Sequence, residues 1–118
     1  VGAAAKEAGV PIKTSLAFLT GIRSVGIGDE VGSRAFGALT NKLVTADRSK
    51  KGTKALKEMG LNAKAFAARM KTDATGALLS FFEALEKTPD AIGPLTDFVG
   101  NEWFDEVLRM KGAVTEIR

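Results

Sequence analysis

Residues 26–36 read Gly-Ile-Gly-Asp-Glu-Val-Gly-Ser-Arg-Ala-Phe. The first two glycines end the helical pattern before them, because glycine accepts backbone conformations that other residues avoid. Asp29 is the residue type that caps a new helix, and Glu30 adds a negative charge where the helix dipole favours it. This stretch, which we call the glycine joint, therefore predicts a sharp turn between two helices.

The segments on both sides of the joint have the apolar spacing of helices. Pro11 suits the first turn of the preceding helix, in which apolar residues recur at Ile12, Leu16, Phe18, Leu19, Ile22 and Val25. This wide apolar arc predicts a well-covered helix. The following helix is predicted to run to about Val44, with one face formed by Gly32, Phe36, Leu39 and Leu43. Glycine costs a helix interior about 1 kcal/mol relative to alanine. Either another backbone approaches closely there, or surface glycines are tolerated.

The rest of the chain reads as short helices separated by tight turns. Their predicted limits are Lys50–Met59 after Asp47 or Ser49, Ala63–Met70 after Asn62, Ala74–Lys87 after Thr72 or Asp73, Gly93–Gly100, and a last helix from an Asn101 cap to Gly112. Gly60 is expected to end the first of these in a Schellman motif, with Leu61 folding back onto Leu56. We predict that Ala74–Lys87 is the central core helix. No strand pattern competes, so the predicted fold is all-α: a compact bundle of about six to eight short helices with glycine-marked turns and no sheet.

Missing residue types narrow the chemistry. The 118 residues include no Cys, no His and no Tyr. Thiolate metal sites, disulfides and cysteine nucleophiles are therefore excluded, and so are the commonest general base and transition-metal ligand. No apolar run approaches the roughly 20 residues of a membrane-spanning helix. We expect one helical domain over residues 1–118, and the Ala-rich helical sequence at its start favours a fragment excised from a longer protein.

Charge is unevenly distributed along the chain. Residues 1–60 hold ten Lys and Arg against five Asp and Glu, a net of +5, whereas residues 61–118 hold seven against nine, a net of −2. Such asymmetry fits an anionic partner, two halves that face each other, or copies that meet head to tail. The densest basic stretch contains Arg48, Lys50, Lys51, Lys54 and Lys57. It has no interleaved aromatic residues for base stacking and no recognisable groove-reading module.

No catalytic or ligand-binding constellation emerges from the sequence. Two carboxylate pairs, Glu83 with Glu86 and Asp105 with Glu106, have no feature that brings them into one cleft, as general acid–base chemistry requires. The glycine joint does not match G-x-G-x-x-G, follows no strand and has no Walker lysine, so we reject nucleotide binding. We predict no enzyme activity, no catalytic, cofactor-binding or metal-binding residues, and no cofactor.

Four stretches, in order, carry a resemblance to a known family. They are Gly26–Ser33, the lysine-rich Lys54–Leu61 ending in Met-Gly-Leu, Asp73–Leu79, and Leu95–Glu102, which reads Leu-Thr-Asp-Phe-Val-Gly-Asn-Glu. Together they resemble the conserved helical region of phage tail tape measure proteins, the TP901-type family. The resemblance covers residues 9–108, although Gly52 and Pro94 interrupt helices that are cleaner in the family.

The resemblance implies a structural, non-enzymatic role in a phage or prophage tail. Tape measure proteins set the length of the tail tube and lie in the tail lumen, after assembly in the bacterial host cytoplasm. The implied partners are tail tube and tail assembly chaperone proteins, together with self-association. A nucleic-acid-binding module, which would use the basic stretch, and a membrane-active module with transient membrane contact remain as alternatives.

Overall fold

The computed structural model describes residues 12–90, 92–100 and 102–112. Those residues form seven α-helices and no strand, which confirms the all-α fold and the predicted number of helices. The helices are α1 Ile12–Ser24, α2 Asp29–Val44, α3 Lys50–Glu58, α4 Ala63–Thr72, α5 Ala74–Lys87, α6 Ile92–Val99 and α7 Phe104–Met110, with a 3-10 turn at Ala46–Arg48 between α2 and α3.

Helix α2 lies at the centre of the helix contacts. It packs against α1, α4, α6 and α7, and also contacts the 3-10 turn. Its predicted apolar face is confirmed, because Phe36, Leu39 and Leu43 are all fully buried and Gly32 is buried beside them. The helix that follows the glycine joint is therefore the one around which the others are arranged.

Helix α5, predicted as the central core helix, supplies the meeting point of the aromatic side chains. The Phe81 ring lies 5.4 Å from Phe82, 5.9 Å from Phe98 and 6.5 Å from Phe66, between ring centroids. Phe82 in turn lies 5.9 Å from Phe18 of α1. These separations are those of favourable aromatic pairs. Two helices are therefore central to the core. Helix α2 contacts the largest set of other helices, and α5 carries the phenylalanines at which the aromatic contacts meet.

Helix α1 is less covered than its apolar arc predicted. Phe18 and Ile22 are fully buried, but Leu16 is 58% exposed. The cause is that α1 packs mainly against α2, and a helix with one principal neighbour buries a stripe rather than a wide arc. The prediction that the whole arc is covered was therefore wrong for Leu16. The predicted start at Pro11 lies outside the described residues.

Two helix ends are Schellman motifs. Gly60 has a φ of +80°, with Gly60 N–H donating to Lys57 O at 2.9 Å and Leu61 N–H donating to Leu56 O at 2.8 Å. This is the predicted arrangement, in which a glycine in the left-handed region lets the chain satisfy the last carbonyls of the helix. Gly26, with a φ of +86°, ends α1 with the same pair of hydrogen bonds. The turn in the glycine joint is therefore a helix stop of known type.

Three helices begin with a side-chain cap that the sequence predicted. The Ser49 Oγ accepts from Gly52 N–H at 3.0 Å, Asn62 Oδ1 accepts from Ala65 N–H at 2.9 Å, and Asp73 Oδ1 accepts from Gly76 N–H at 3.1 Å. The sequence left two alternatives for the cap of α3 and two for the cap of α5. The structure shows Ser49 and Asp73 in these positions. The predicted cap of the last helix, Asn101, lies outside the described residues, and α7 begins after Trp103, whose side chain makes no capping hydrogen bond.

Gly32 lies where α1 approaches α2. A Cβ atom at this position would stand 2.8 Å from Cγ2 of Ile22, closer than Cβ contacts occur in proteins. Ile22 is fully buried. Gly32 therefore lies at a close approach, but the approaching group is the Ile22 side chain and not another backbone, as was predicted.

Candidate functional site

The glycine joint is held by an ion pair across its two helices. Arg23, in the last turn of α1, donates from Nε to Asp29 Oδ1 and from Nη2 to Asp29 Oδ2, the latter at 2.8 Å. Both side chains are more than half exposed. The hydrogen bond from Arg23 lowers the pKa of the Asp29 carboxyl below its ordinary value, because it stabilises the charged form.

The prediction that Asp29 caps α2 was wrong. Asp29 is the first residue of the helix, Gly28 occupies the capping position, and no side chain there accepts a hydrogen bond from the first turn. The Asp29 carboxylate is turned to Arg23 instead. Its negative charge still lies in the first turn with Glu30, where the helix dipole favours it.

Three backbone N–H groups of the joint donate within the joint or to the end of α1. The N–H of Gly26 donates to Arg23 O at 3.0 Å, that of Ile27 to Ile22 O at 3.3 Å, and that of Gly32 to Gly28 O at 2.8 Å. Phosphate loops need backbone N–H groups that point at the ligand, whereas these donors are used inside the joint. These three donors are therefore not available to a phosphate, and the rejection of nucleotide binding stays a prediction.

Helix α7 closes over the joint from the other end of the described chain. Arg109 Nη2 donates to Val25 O at 3.3 Å. A Cβ atom at Gly112 would stand 2.9 Å from Val25 Cγ1. The joint is thus a packing centre, at which α1, α2 and α7 meet.

The cleft that Glu83 lines brings neither carboxylate pair together. Glu83 lines a cleft of about 370 Å³ between the α3–α4 turn and α5, together with Glu58 and Ser80, but Glu86 does not line it. Neither Asp105 nor Glu106 lines it. In the part of the chain that the structure describes, no cluster of three or more acidic residues could hold a metal ion. The absence of catalytic and metal-binding residues stays a prediction.

The basic stretch divides into two groups. Four of its five cations, Arg48, Lys50, Lys54 and Lys57, line an open groove of about 410 Å³ along α3. A second groove, of about 530 Å³, shares Thr53 and Lys57 with the first and continues to the start of α4. We call the two together the basic groove. Lys51 lies apart, in a small cleft with Lys42 and Asp97.

Sequence reasoning missed two polar features. Lys42 and Lys51 line the same small cleft. They lie on separate helices, so residue spacing in the sequence could not have shown that they are close. Arg69 donates from Nη1 to Ser80 Oγ at 2.8 Å and pairs with Asp73 at 3.4 Å, and so joins α4 to α5. The spacing of Arg69 and Asp73, four residues apart near a helix end, was a usable signal for the ion pair but not for the contact with Ser80.

Comparison with known proteins gives one family. The family model described as phage-related minor tail protein matches residues 1–95, which include the glycine joint and helices α1 to α5. No curated protein and no solved structure gives a significant match to the chain.

Proposed function

Because the chain belongs to the family of phage-related minor tail proteins, we propose that it is a structural segment of a tail tape measure protein of the TP901 type. A protein of this family is a component of the virion tail and contacts other tail proteins. In our proposal the segment has no catalytic activity, helps to set tail length, and supports assembly through helix–helix contacts. Its partners are the tail tube, tail assembly chaperones and further copies of itself.

The family match is the observation that carries this proposal. It extends over residues 1–95 and therefore includes three of the four stretches on which the tape measure resemblance rests, Gly26–Ser33, Lys54–Leu61 and Asp73–Leu79. Support also comes from how the joint's residues are used. Asp29 pairs with Arg23 of α1, and the N–H groups of Gly26 and Ile27 close the turn that ends α1, as a structural role requires.

We further propose that residues 1–118 form one helical domain of a longer tape measure protein. The reason is the continuity of the core. Phe18 of α1, Phe36 of α2, Leu78 of α5 and Val107 of α7 belong to one buried cluster, so no boundary inside the described chain separates two independent cores. The segment would lie in the tail lumen of the virion, after assembly in the host cytoplasm.

No helix among the described residues is long and apolar enough to cross a membrane.

Tail length in the parent phage tests the proposal. The coding segment for residues 1–118 would be deleted in frame, and in a second phage duplicated in frame, and tail lengths measured by electron microscopy. A segment that lies in the tail as extended helix contributes about 1.5 Å per residue, or roughly 180 Å over the whole segment. A segment that stays folded contributes no more than the longest dimension of the globule, 31 Å.

We expect the deletion to shorten the tail and the duplication to lengthen it by the same amount. The size of the change, near 30 Å or near 180 Å, then tells whether the fold persists in the tail. The duplication serves as control, because it retains every contact of the original segment. Infectious tails of unchanged length in both phages would refute a length-setting role.

A further inference from the structure

The proposed structural role of the protein does not explain how the lysines of the basic groove are placed. Lys50, Lys54 and Lys57 recur at the i, i+4 and i+7 positions of one side of α3, while Gly52, Ala55 and Leu56 are buried on the other. All three lysines are exposed. Like charges four residues apart on a helix repel each other, so the groove costs the folded protein some stability unless an anion occupies it.

Acidic neighbours compensate this charge only in part, because Asp47 lies in the groove and Glu58 lies four residues after Lys54 on α3. Three ion pairs among the described residues join Arg23 with Asp29, Arg34 with Glu30, and Arg69 with Asp73, and none of these three involves the groove. Asp47 is the only acidic residue in its lining, against four cations. Although α3 packs against α6, no ion pair connects these helices. The explanation that two oppositely charged halves neutralise each other therefore fails for this surface.

The groove has the character of a polyanion site rather than of a protein or membrane interface. Protein interfaces place apolar and aromatic residues at their centre and are depleted in lysine, and membrane-surface helices insert an apolar face beside their charges. The exposed large apolar side chains of the described chain are Leu16, Val31 and Ile92. None of them lines the groove, whose one large apolar side chain, Leu61, is half-buried.

We propose that the basic groove binds the phosphate backbone of duplex nucleic acid, without reading its sequence. Lys50 to Lys57 span about 10 Å of helix, a length that faces about three base pairs and their phosphates on each strand. No aromatic side chain lines the groove, so the base stacking on which single-strand binders depend is absent. This inference goes beyond the proposed role in tail length and does not depend on it.

Salt-dependent binding tests the proposal. The 118-residue chain would be titrated against a fluorescently labelled duplex of 20 base pairs, with anisotropy measured between 25 and 200 mM salt. Four cations on phosphates predict a slope of about −3.6 for log K against log salt, and a loss of affinity of about a hundredfold between 50 and 200 mM salt. The variant K50Q/K54Q/K57Q should bind about tenfold or more weakly, with a slope near −0.9.

A charge-matched variant separates the groove from net charge. The variant K13Q/K87Q/K111Q loses the same three charges from exposed sites outside the groove and should keep nearly the wild-type slope. Circular dichroism would verify the fold of both variants. If the triple groove variant does not fold, K54Q alone should make the slope shallower by about 0.9.

Several results would overturn the proposal. These are no binding at 25 mM salt, equal losses in the two triple variants, tighter binding of a single-stranded oligonucleotide than of the duplex, or equal competition by polyglutamate of the same charge. Binding of vesicles that contain anionic lipid, with no binding of the duplex, would assign the groove to a membrane surface instead. The outcome leaves the tail-length test unaffected.

Discussion

The close approach of α1 to Gly32 makes a quantitative prediction for Gly32→Ala. Alanine favours a helix interior over glycine by about 1 kcal/mol. Against this, the new Cβ would lie 2.8 Å from Cγ2 of Ile22 and 3.6 Å from Cγ2 of Ile27. Both isoleucines are buried, and overpacking of this kind costs about 1–3 kcal/mol. We therefore expect Gly32→Ala to lower the free energy of unfolding by about 1 kcal/mol.

Urea denaturation followed by circular dichroism would measure this loss. The Ile22→Leu background is the matched control, because it removes the atom that a Cβ at Gly32 would meet and leaves the helix propensity of residue 32 unchanged. A cost that depends on Ile22 would assign the loss to packing rather than to the change of helix propensity.

A second substitution tests the assigned contact. Ile22→Leu keeps the side-chain volume but moves the branch away from Cβ, which removes Cγ2; such exchanges cost less than about 1.5 kcal/mol. In this background Gly32→Ala should become neutral or stabilising, and the two changes should show a coupling energy of about 1–2 kcal/mol. The reasoning is refuted if Gly32→Ala stabilises the wild-type protein, or if its cost is unchanged in the Ile22→Leu background.

Three further predictions concern helix ends and pH. Gly60→Ala should cost about 1–2 kcal/mol in urea denaturation, because alanine resists the left-handed region, whereas Gly60→Asn should cost less; equal losses would count against the φ of +80° as the cause. Asp73→Ala should cost about 1 kcal/mol through loss of the cap on α5, and Asp73→Asn, which keeps a capping oxygen, should cost less. The lowered pKa of Asp29 contributes stability above about pH 4, the unfolded value, which is lost as the pH falls through the folded value. Stability should therefore fall less between pH 5 and pH 2 in Asp29→Asn than in the wild type, and parallel curves would contradict this.

The sequence predicted those features that depend on neighbouring residues. The Schellman motif at Gly60 and the caps at Ser49, Asn62 and Asp73 require only a few consecutive residues, and all were recognisable. The same holds for the buried stripe of α2, whose spacing records one face of a helix. Local signals therefore gave the all-α fold and nearly every helix boundary.

Features that depend on a partner in another helix were misjudged. Asp29 has the residue type of a cap, yet Arg23 across the joint takes its carboxylate. Leu16 belongs to an apolar arc, but its exposure depends on how many helices cover α1. The basic groove likewise required the fold, because only the packing of α3 shows which cations share a surface with Lys57 and which, like Lys51, lie elsewhere.

The end of the family match does not coincide with an end of the fold. The match stops at residue 95, inside α6. Phe98, Val107 and Met110, which follow it, are buried members of the core cluster. A protein truncated at residue 95 would expose the apolar surface that they cover. Deletions meant to preserve the fold should therefore retain α7.

The contact of Arg109 with Val25 has a consequence for the order of folding. These residues are separated by 84 positions in the chain, whereas the hydrogen bonds that turn the chain at Gly26 join residues five or fewer positions apart. Closing a long loop costs conformational entropy before its contacts compensate. We therefore expect the turn to form before α7 covers it. By the same reasoning, amide hydrogens of α7 should exchange with solvent before those of α2.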